Sequence, residues 1–195
     1  QVYPIARASA PLIVTLISLF ILDVDLGFSE LTGISLIALG LIASSGIHNK
    51  NIPSLAVKSA LITGCFIAGY SIVDGYGGRI GESPIAFYGW LTLINGPVWF
   101  IYISFVSPES IPKMFGSAKW VFLGGGFASF LAYSLVMYAF SQAPIAIVMA
   151  LRETSILFAL LLGIFFLKEK ITYSKLIGVA LTIFGIIVLR LQILG

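Results

Sequence analysis

Two arginines and a glutamate interrupt apolar stretches of this chain. Arg152 and Glu153 lie within PIAIVMALRETSILFALLLGIFF, and Arg7 lies within QVYPIARASAPLIVTLISLF. A charge at the centre of a membrane helix costs about 2.5–3.5 kcal/mol on insertion scales, so it usually faces a bundle interior or a wet cavity. Guanidinium groups there can clamp a carboxylate or a phosphate. We therefore predict that Arg7 and Arg152 bind an anionic group. Local neutralisation, of Arg152 by Glu153 or by helix-end carbonyls, is the alternative.

Two acidic residues belong to the same set of candidates. Glu153 is a candidate proton carrier because a carboxylate at this depth is costly and usually functional; an ion pair with an arginine is the alternative. Asp74 and Arg79 flank residues 75–78, Gly-Tyr-Gly-Gly, where the glycines permit a tight turn. We predict either that Asp74 and Arg79 form an ion pair that stabilises this turn, or that Asp74, like Glu153, has a role in coupling.

Three uncharged polar side chains complete the predicted binding set. Asn95 precedes Gly96-Pro97 in the middle of an apolar run, and a proline there removes a backbone hydrogen bond and kinks the helix. Asn95 would then face inward; a simple packing kink is the alternative. Tyr70 and Tyr133 lie deep in their runs, where they would line a pocket for an aromatic or amphipathic solute or else pack in the core.

The composition is that of an integral membrane protein. Of the 195 residues, 59% are apolar and 10% are charged, whereas soluble domains carry about 25% charged residues. The apolar runs do not alternate, so helices are favoured over barrel strands. One cysteine and one histidine exclude a disulfide framework and a Cys/His metal cluster, and we predict no cofactor. The net charge of +3 is small and gives no reason to expect nucleic acid.

The runs predict seven membrane spans in one all-α bundle. Short connections separate them, including residues 23–25, 48–51, 75–78, 107–109 and 168–170. None of these connections is long enough for a soluble domain. The predicted spans are 1–22, 31–47, 54–75, 85–106, 118–140, 144–167 and 172–192.

An internal repeat relates the two ends of the chain. When Arg7–Ile42 is laid on Arg152–Ile187 without a gap, eleven of thirty-six positions are identical. The matches that carry most weight are Arg7 with Arg152, Ser29 with Ser174, Gly33 with Gly178 and Gly40 with Gly185. Coincidence between two similar hairpins is the alternative. The paired glycines also predict close helix packing.

The repeat predicts an inverted architecture. Each span of the second copy comes five spans after its counterpart in the first, an odd number, so the second copy is upside down relative to the first. Inverted repeats are typical of secondary transporters, whose sites lie near the midplane at the repeat interface. We predict that residues 1–47 are the last two helices of a first repeat and that residues 54–192 are a complete five-helix repeat. Three spans would then be missing upstream of Gln1, giving ten in all.

Three stretches carry a resemblance to a known family. They are YPIARASAPL, the stretch YSIVDGYGGR from Tyr70 to Arg79, and APIAIVMALRETSILFALLLGIFFLKEKITYSKLIGVALTIFGIIVL. They resemble the drug/metabolite transporter superfamily, EamA-like type, from the fourth to the tenth helix of a ten-helix fold. The resemblance implies a solute carrier, often an exporter of amino acids, metabolites or drugs, driven by a proton or exchange gradient. It also adds weight to Asp74.

We therefore predict a secondary transporter, an exporter of a small organic metabolite or drug, that works by alternating access around a midplane cavity. The expected partners are the solute, the lipid bilayer, and a proton or an exchanged solute; a homodimer is left open. The expected location is a bacterial or archaeal plasma membrane. A non-transporting scaffold or assembly subunit is the alternative. A membrane enzyme is not favoured, because the predicted spans contain no His-Asp or paired-Asp constellation. A retinal-type receptor is not favoured, because no lysine lies in the middle of a predicted span.

The lysines indicate a charge asymmetry across the membrane. When Arg7 and Arg152 are left out, seven lysines fall on one side of the membrane, and Arg79 and Arg190 fall on the other. The positive-inside rule would make the side with seven lysines cytoplasmic. Ten-helix relatives usually have the opposite orientation, so the orientation is left open. The seven are Lys50, Lys58, Lys113, Lys119, Lys168, Lys170 and Lys175.

Overall fold

The computed structural model describes residues 3–44, 53–168 and 172–193, and all regular secondary structure in these ranges is α-helical. The predicted connections at 48–51 and 168–170 lie wholly or partly outside the described residues. The helices are α1 (Tyr3–Phe20), α2 (Phe28–Ser44), α3 (Ser54–Ile80), α4 (Pro84–Val106), α5 (Ser110–Phe115), α6 (Lys119–Gln142), α7 (Ile145–Arg152), α8 (Ser155–Leu167) and α9 (Tyr173–Ile193).

The predicted all-α polytopic fold is confirmed. Within the described ranges, six segments are long and apolar enough to cross a membrane: α1, α3, α4, α6, the Ile145–Phe166 stretch that contains α7 and most of α8, and α9. Helix α2 has 17 residues, at the lower end of the ~17–25 residues that span a bilayer. The protein is therefore a multi-pass membrane protein.

The predicted connection at residues 75–78 is wrong, because α3 runs through it to Ile80. A Cβ atom added at Gly77 would overlap the ring of Phe87, so this glycine admits an aromatic ring against the helix. Glycine within a helix costs only about 1 kcal/mol relative to alanine, which packing readily offsets. The turn comes later, before Ser83, whose side chain caps the start of α4.

The predicted span 144–167 is not one continuous helix. Helix α7 ends at Arg152 and α8 begins at Ser155, with Glu153 and Thr154 between them. The backbone N–H of Glu153 bonds to the carbonyl of Ala150 at 3.1 Å, and that of Thr154 bonds to Leu151 at 3.0 Å. These three-residue spacings are those of a tight 3₁₀ turn, which often marks a functional position inside a helix.

The chain divides into two compact units. The first contains Gln1–Val73 and Ala143–Gly195, and the second is Asp74–Gln142. In the second unit, α4 and α6 pack together. The ring of Tyr88 stacks on Phe130 at 5.2 Å between centroids and lies 4.9 Å from Tyr133.

The first unit is built on close contact between α2 and α9. Four glycines form this contact, Gly33 and Gly40 on α2 and Gly178 and Gly185 on α9. All four were predicted to permit close helix packing. A Cβ atom added at Gly178 would lie 2.5 Å from the carbonyl oxygen of Gly40, and one at Gly185 would lie 2.8 Å from that of Gly33. The helices therefore touch backbone to backbone, which only small residues permit.

The contacts between α2 and α9 occur in pairs that the 145-residue shift relates. Adding 145 to the α2 residue of a contact and subtracting 145 from its α9 residue gives the two residues of another contact. Gly33 meets Gly185, and the shifted partners, Gly178 and Gly40, also meet. Leu189 lies against Gly33 as Ser44, its counterpart, lies against Gly178. Thr182 and its counterpart Ile37 pack in the same way on Gly40 and Gly185. Each contact thus has a mate, as a pseudo-two-fold axis between these helices requires.

We expect Gly40→Val and Gly178→Val each to destabilise the protein by about 1–3 kcal/mol or more, because an added side chain must push the two backbones apart. The matched control is Gly124→Val in α6, where an added Cβ meets no atom within 4 Å. Thermal unfolding in detergent measures the effect. Equal losses in all three variants would show that the cost comes from valine in a helix rather than from the α2–α9 contact.

Candidate functional site

The first unit holds a buried ion pair between two distant parts of the sequence. The Nε atom of Arg7 donates to Oε2 of Glu153 at 2.7 Å, and the two side chains are 19% and 1% exposed. Arg7 comes from α1, and Glu153 comes from the break between α7 and α8. The carboxylate is therefore paired directly with Arg7, which lies 146 residues away in the sequence.

Small side chains allow α1 to approach α7 closely enough for this pair. Ala6, Ala8 and Ala10 on α1 are 5% exposed or less, and Ala146 and Ala150 on α7 are fully buried. Ala6 and Ala8, on either side of Arg7 in the sequence, have short side chains, which leaves room for the Arg7 side chain to extend to Glu153. The ring of Tyr3, one turn earlier, lies 5.7 Å from the Arg7 guanidinium, a distance suited to a cation–π contact.

Arg152 binds a tyrosine that the sequence predicted as a pocket residue. Its Nη2 atom donates to the hydroxyl of Tyr70 at 3.3 Å, which ties the end of α7 to α3. Both arginines attract the Glu153 carboxylate. Two guanidiniums and one carboxylate give the cluster of Arg7, Arg152 and Glu153 a formal charge of +1.

Two buried oxygen atoms near these elements have unused hydrogen-bonding capacity. Among the described residues, neither Oε1 of Glu153 nor the hydroxyl of Ser71, next to Tyr70, has a hydrogen-bond partner. Buried polar atoms are normally hydrogen-bonded, so each exception calls for an explanation. Sequence reasoning missed Ser71, because a serine in an apolar helix gives no signal of its burial. It also missed the hydroxyl of Tyr70 as a partner of Arg152.

The second unit contains the other predicted carboxylate. The hydroxyl of Tyr133 donates to Oδ2 of Asp74 at 2.5 Å, and the ring of Tyr133 packs on Tyr88. The Nε atom of Arg79 donates to the carbonyl of Phe140 at 2.8 Å. The predicted residues Asp74 and Tyr133 are therefore brought together, whereas the turn that Asp74 and Arg79 were predicted to pin does not exist.

Asn95 lies on the exposed surface of α4, in the second unit. Helix α4 continues from Pro84 to Val106 with Pro97 inside it, so the helix is not divided at this point. The binding role of Asn95 stays a prediction. So does the cavity predicted beside Arg152. In the first unit, a cavity of about 20 Å³ is lined instead by Ser44, Ile156, Leu157, Leu160, Gly178, Val179 and Thr182.

The described ranges contain no cluster of three or more His, Cys, Asp or Glu side chains that could hold a metal ion.

Comparison with known proteins identifies the family of this chain. The model of the EamA-like transporter family matches residues 54–191, well over half of the chain. No curated protein and no solved structure shows significant similarity. The family match confirms the resemblance seen in the last hairpin and in the stretch from Tyr70 to Arg79. The chain therefore belongs to the EamA-like transporter family.

Proposed function

We propose that this chain belongs to a secondary transporter that exports a small organic solute with an anionic group. The observation that carries the proposal is the buried Arg7–Glu153 ion pair at the break between α7 and α8. Discontinuous membrane helices are a common element of transporter sites. A charged cluster at such a break therefore supports solute binding at Arg152, Arg7 and Glu153.

The charge of the cluster favours an anion as the ligand. Arg7 and Arg152 carry two positive charges beside the one carboxylate of Glu153. An anionic group of the solute at Arg152, a carboxylate or a phosphate, would receive charge-assisted hydrogen bonds from the guanidinium. Tyr70 holds Arg152 from the side of α3, which limits the directions in which the guanidinium can point.

Coupling to a proton would act through Glu153. When Glu153 is ionised, it holds Arg7; when it is protonated, it becomes neutral and Arg7 loses its ionic partner. The same guanidinium would then be available to the solute. Asp74, bound by Tyr133, is the second candidate for a coupling role. A counter-transported solute could replace the proton as the driving species.

The architecture that we propose is a pair of inverted repeats. Residues 54–192 form the complete five-helix repeat, and residues 1–47 are the last two helices of the other. The exchange of contacts between α2 and α9 under the 145-residue shift supports this division. Alternating access would then swap the conformations of the two copies around the cluster. The proposed location is a bacterial or archaeal plasma membrane.

Transport by proteoliposomes tests the role of Arg152. The probes are labelled monocarboxylates, amino acids and organic phosphates, each with and without a proton gradient. We expect Arg152→Gln to lower the uptake of an anionic substrate by about 10- to 100-fold, because one charge-assisted hydrogen bond contributes about 1.5–3 kcal/mol. Arg190→Gln, at an exposed position in α9, is the control and should transport normally. Absence of transport by the wild-type protein for every probe would favour a scaffold or assembly subunit.

A double-variant cycle tests the ion pair. Arg7→Met or Glu153→Met alone should lower stability by about 3–5 kcal/mol, because each leaves a buried charge without its partner. The double variant should be more stable than either single variant, since no orphaned charge remains. Chemical denaturation in detergent measures the three values. Losses that simply add would mean that the two side chains do not interact.

A further inference from the structure

The segment between α4 and α6 lies at a membrane surface. Both flanking helices are long and apolar enough to span the bilayer, and α4 ends at Val106 while α6 begins at Lys119. Residues 107–118 therefore connect the two spans at the boundary between lipid and water. They form the short helix α5, which packs on the adjoining ends of α4 and α6. This short helix was not predicted from the sequence.

Two lysines on this segment are exposed and have no ionic partner. Lys113 lies on α5 and Lys119 begins α6, and both side chains are exposed. Neither is within ion-pair distance of a carboxylate in the described part of the chain. The acidic residue of the segment is Glu109, which is also exposed. The segment thus offers two cations and one anion to its surroundings.

Exposed aromatic rings lie on the same segment as these lysines. The ammonium of Lys119 is 5.5 Å from the centroid of the Trp120 ring. Phe115 and Phe122 contact each other at 6.2 Å between centroids. Trp120 is 75% exposed and Phe115 is 65% exposed. Phe122 lies three residues beyond Lys119, about 4.5 Å deeper at ~1.5 Å per residue. Charge thus gives way to apolar rings within one helical turn.

We propose that α5 and the first turn of α6 bind the headgroup of an anionic phospholipid. The order of groups matches that of the lipid: Lys113 and Lys119 meet the phosphate, and Trp120, Phe115 and Phe122 meet the glycerol and upper acyl chains. Aromatic rings favour this depth of the membrane, and juxtamembrane lysines attract anionic lipids.

The aromatic rings distinguish a lipid from a free anion. A dissolved phosphate ion would use the lysines alone and would gain nothing from exposed tryptophan and phenylalanine. A phospholipid uses both groups at once, and the neighbouring spans hold it in the plane where these side chains lie. This surface lies within the second unit and contains none of the residues of the proposed transport site.

Lipid binding to the purified full-length chain tests the proposal. Native mass spectrometry measures the retention of phosphatidylglycerol and, separately, of phosphatidylcholine. We expect tighter binding of phosphatidylglycerol, weakened about fivefold by each of Lys113→Gln and Lys119→Gln. Trp120→Ala should weaken both lipids. The matched control, Lys58→Gln with Arg190→Gln, removes two exposed cations elsewhere and should bind as the wild type does. Circular dichroism confirms that each variant is folded.

Two results would overturn the proposal. The first is an equal loss of phosphatidylglycerol in the Lys58/Arg190 control, which would mean that only the total charge of the protein matters. The second is displacement of phosphatidylglycerol by millimolar inorganic phosphate, which would show a simple anion site without a role for the lipid.

Discussion

The packing of the first unit depends on glycine at four positions in the contact between α2 and α9. Gly40 and Gly178 bring the two backbones into direct contact, and the apolar bilayer supplies no hydrophobic force that would otherwise hold helices together. Hydroxyl groups near the contact bond to their own helices, as Thr182 does to the carbonyl of Gly178 at 2.8 Å. This leaves no polar group of the threonine exposed to the lipid. Helix α1, which carries Arg7, packs on α2 and on α7. The α2–α9 contact therefore helps to set the position of Arg7 through α2.

Much of the fold was predictable because membrane spans follow from length and composition. The 145-residue register also predicted which glycines permit close packing and that Arg7 and Arg152 correspond. The extension of α3 through residues 75–78 was not predictable from local preference, because glycine there accommodates the Phe87 ring, a contact that forms only in the folded chain. The break after Arg152 was likewise hidden, since neither proline nor glycine marks it.

The site was predicted in its membership more than in its contacts. From the sequence we predicted that Arg7, in the span 1–22, and Arg152, in the span 144–167, have equal roles in one site. The structure separates them: Arg7 pairs with Glu153, and Arg152 bonds to Tyr70. One difference between the aligned segments bears directly on this pairing, because Ala8 is aligned with Glu153. A sequence shows such a difference but not which arginine the additional carboxylate will reach.

The break between α7 and α8 also places two helix ends beside the charged residues. The carbonyl end of α7 falls at Arg152, and the amide end of α8 begins just after Glu153. Helix ends carry roughly half an elementary charge, negative at the carboxyl end and positive at the amino end. The arginine therefore meets the negative end and the glutamate the positive end, and the reverse order would oppose both. Around Arg7, α1 is continuous and offers no such pair of ends. The break thus places two opposite partial charges beside Arg152 and Glu153, whereas no helix break in α1 supplies such charges beside Arg7.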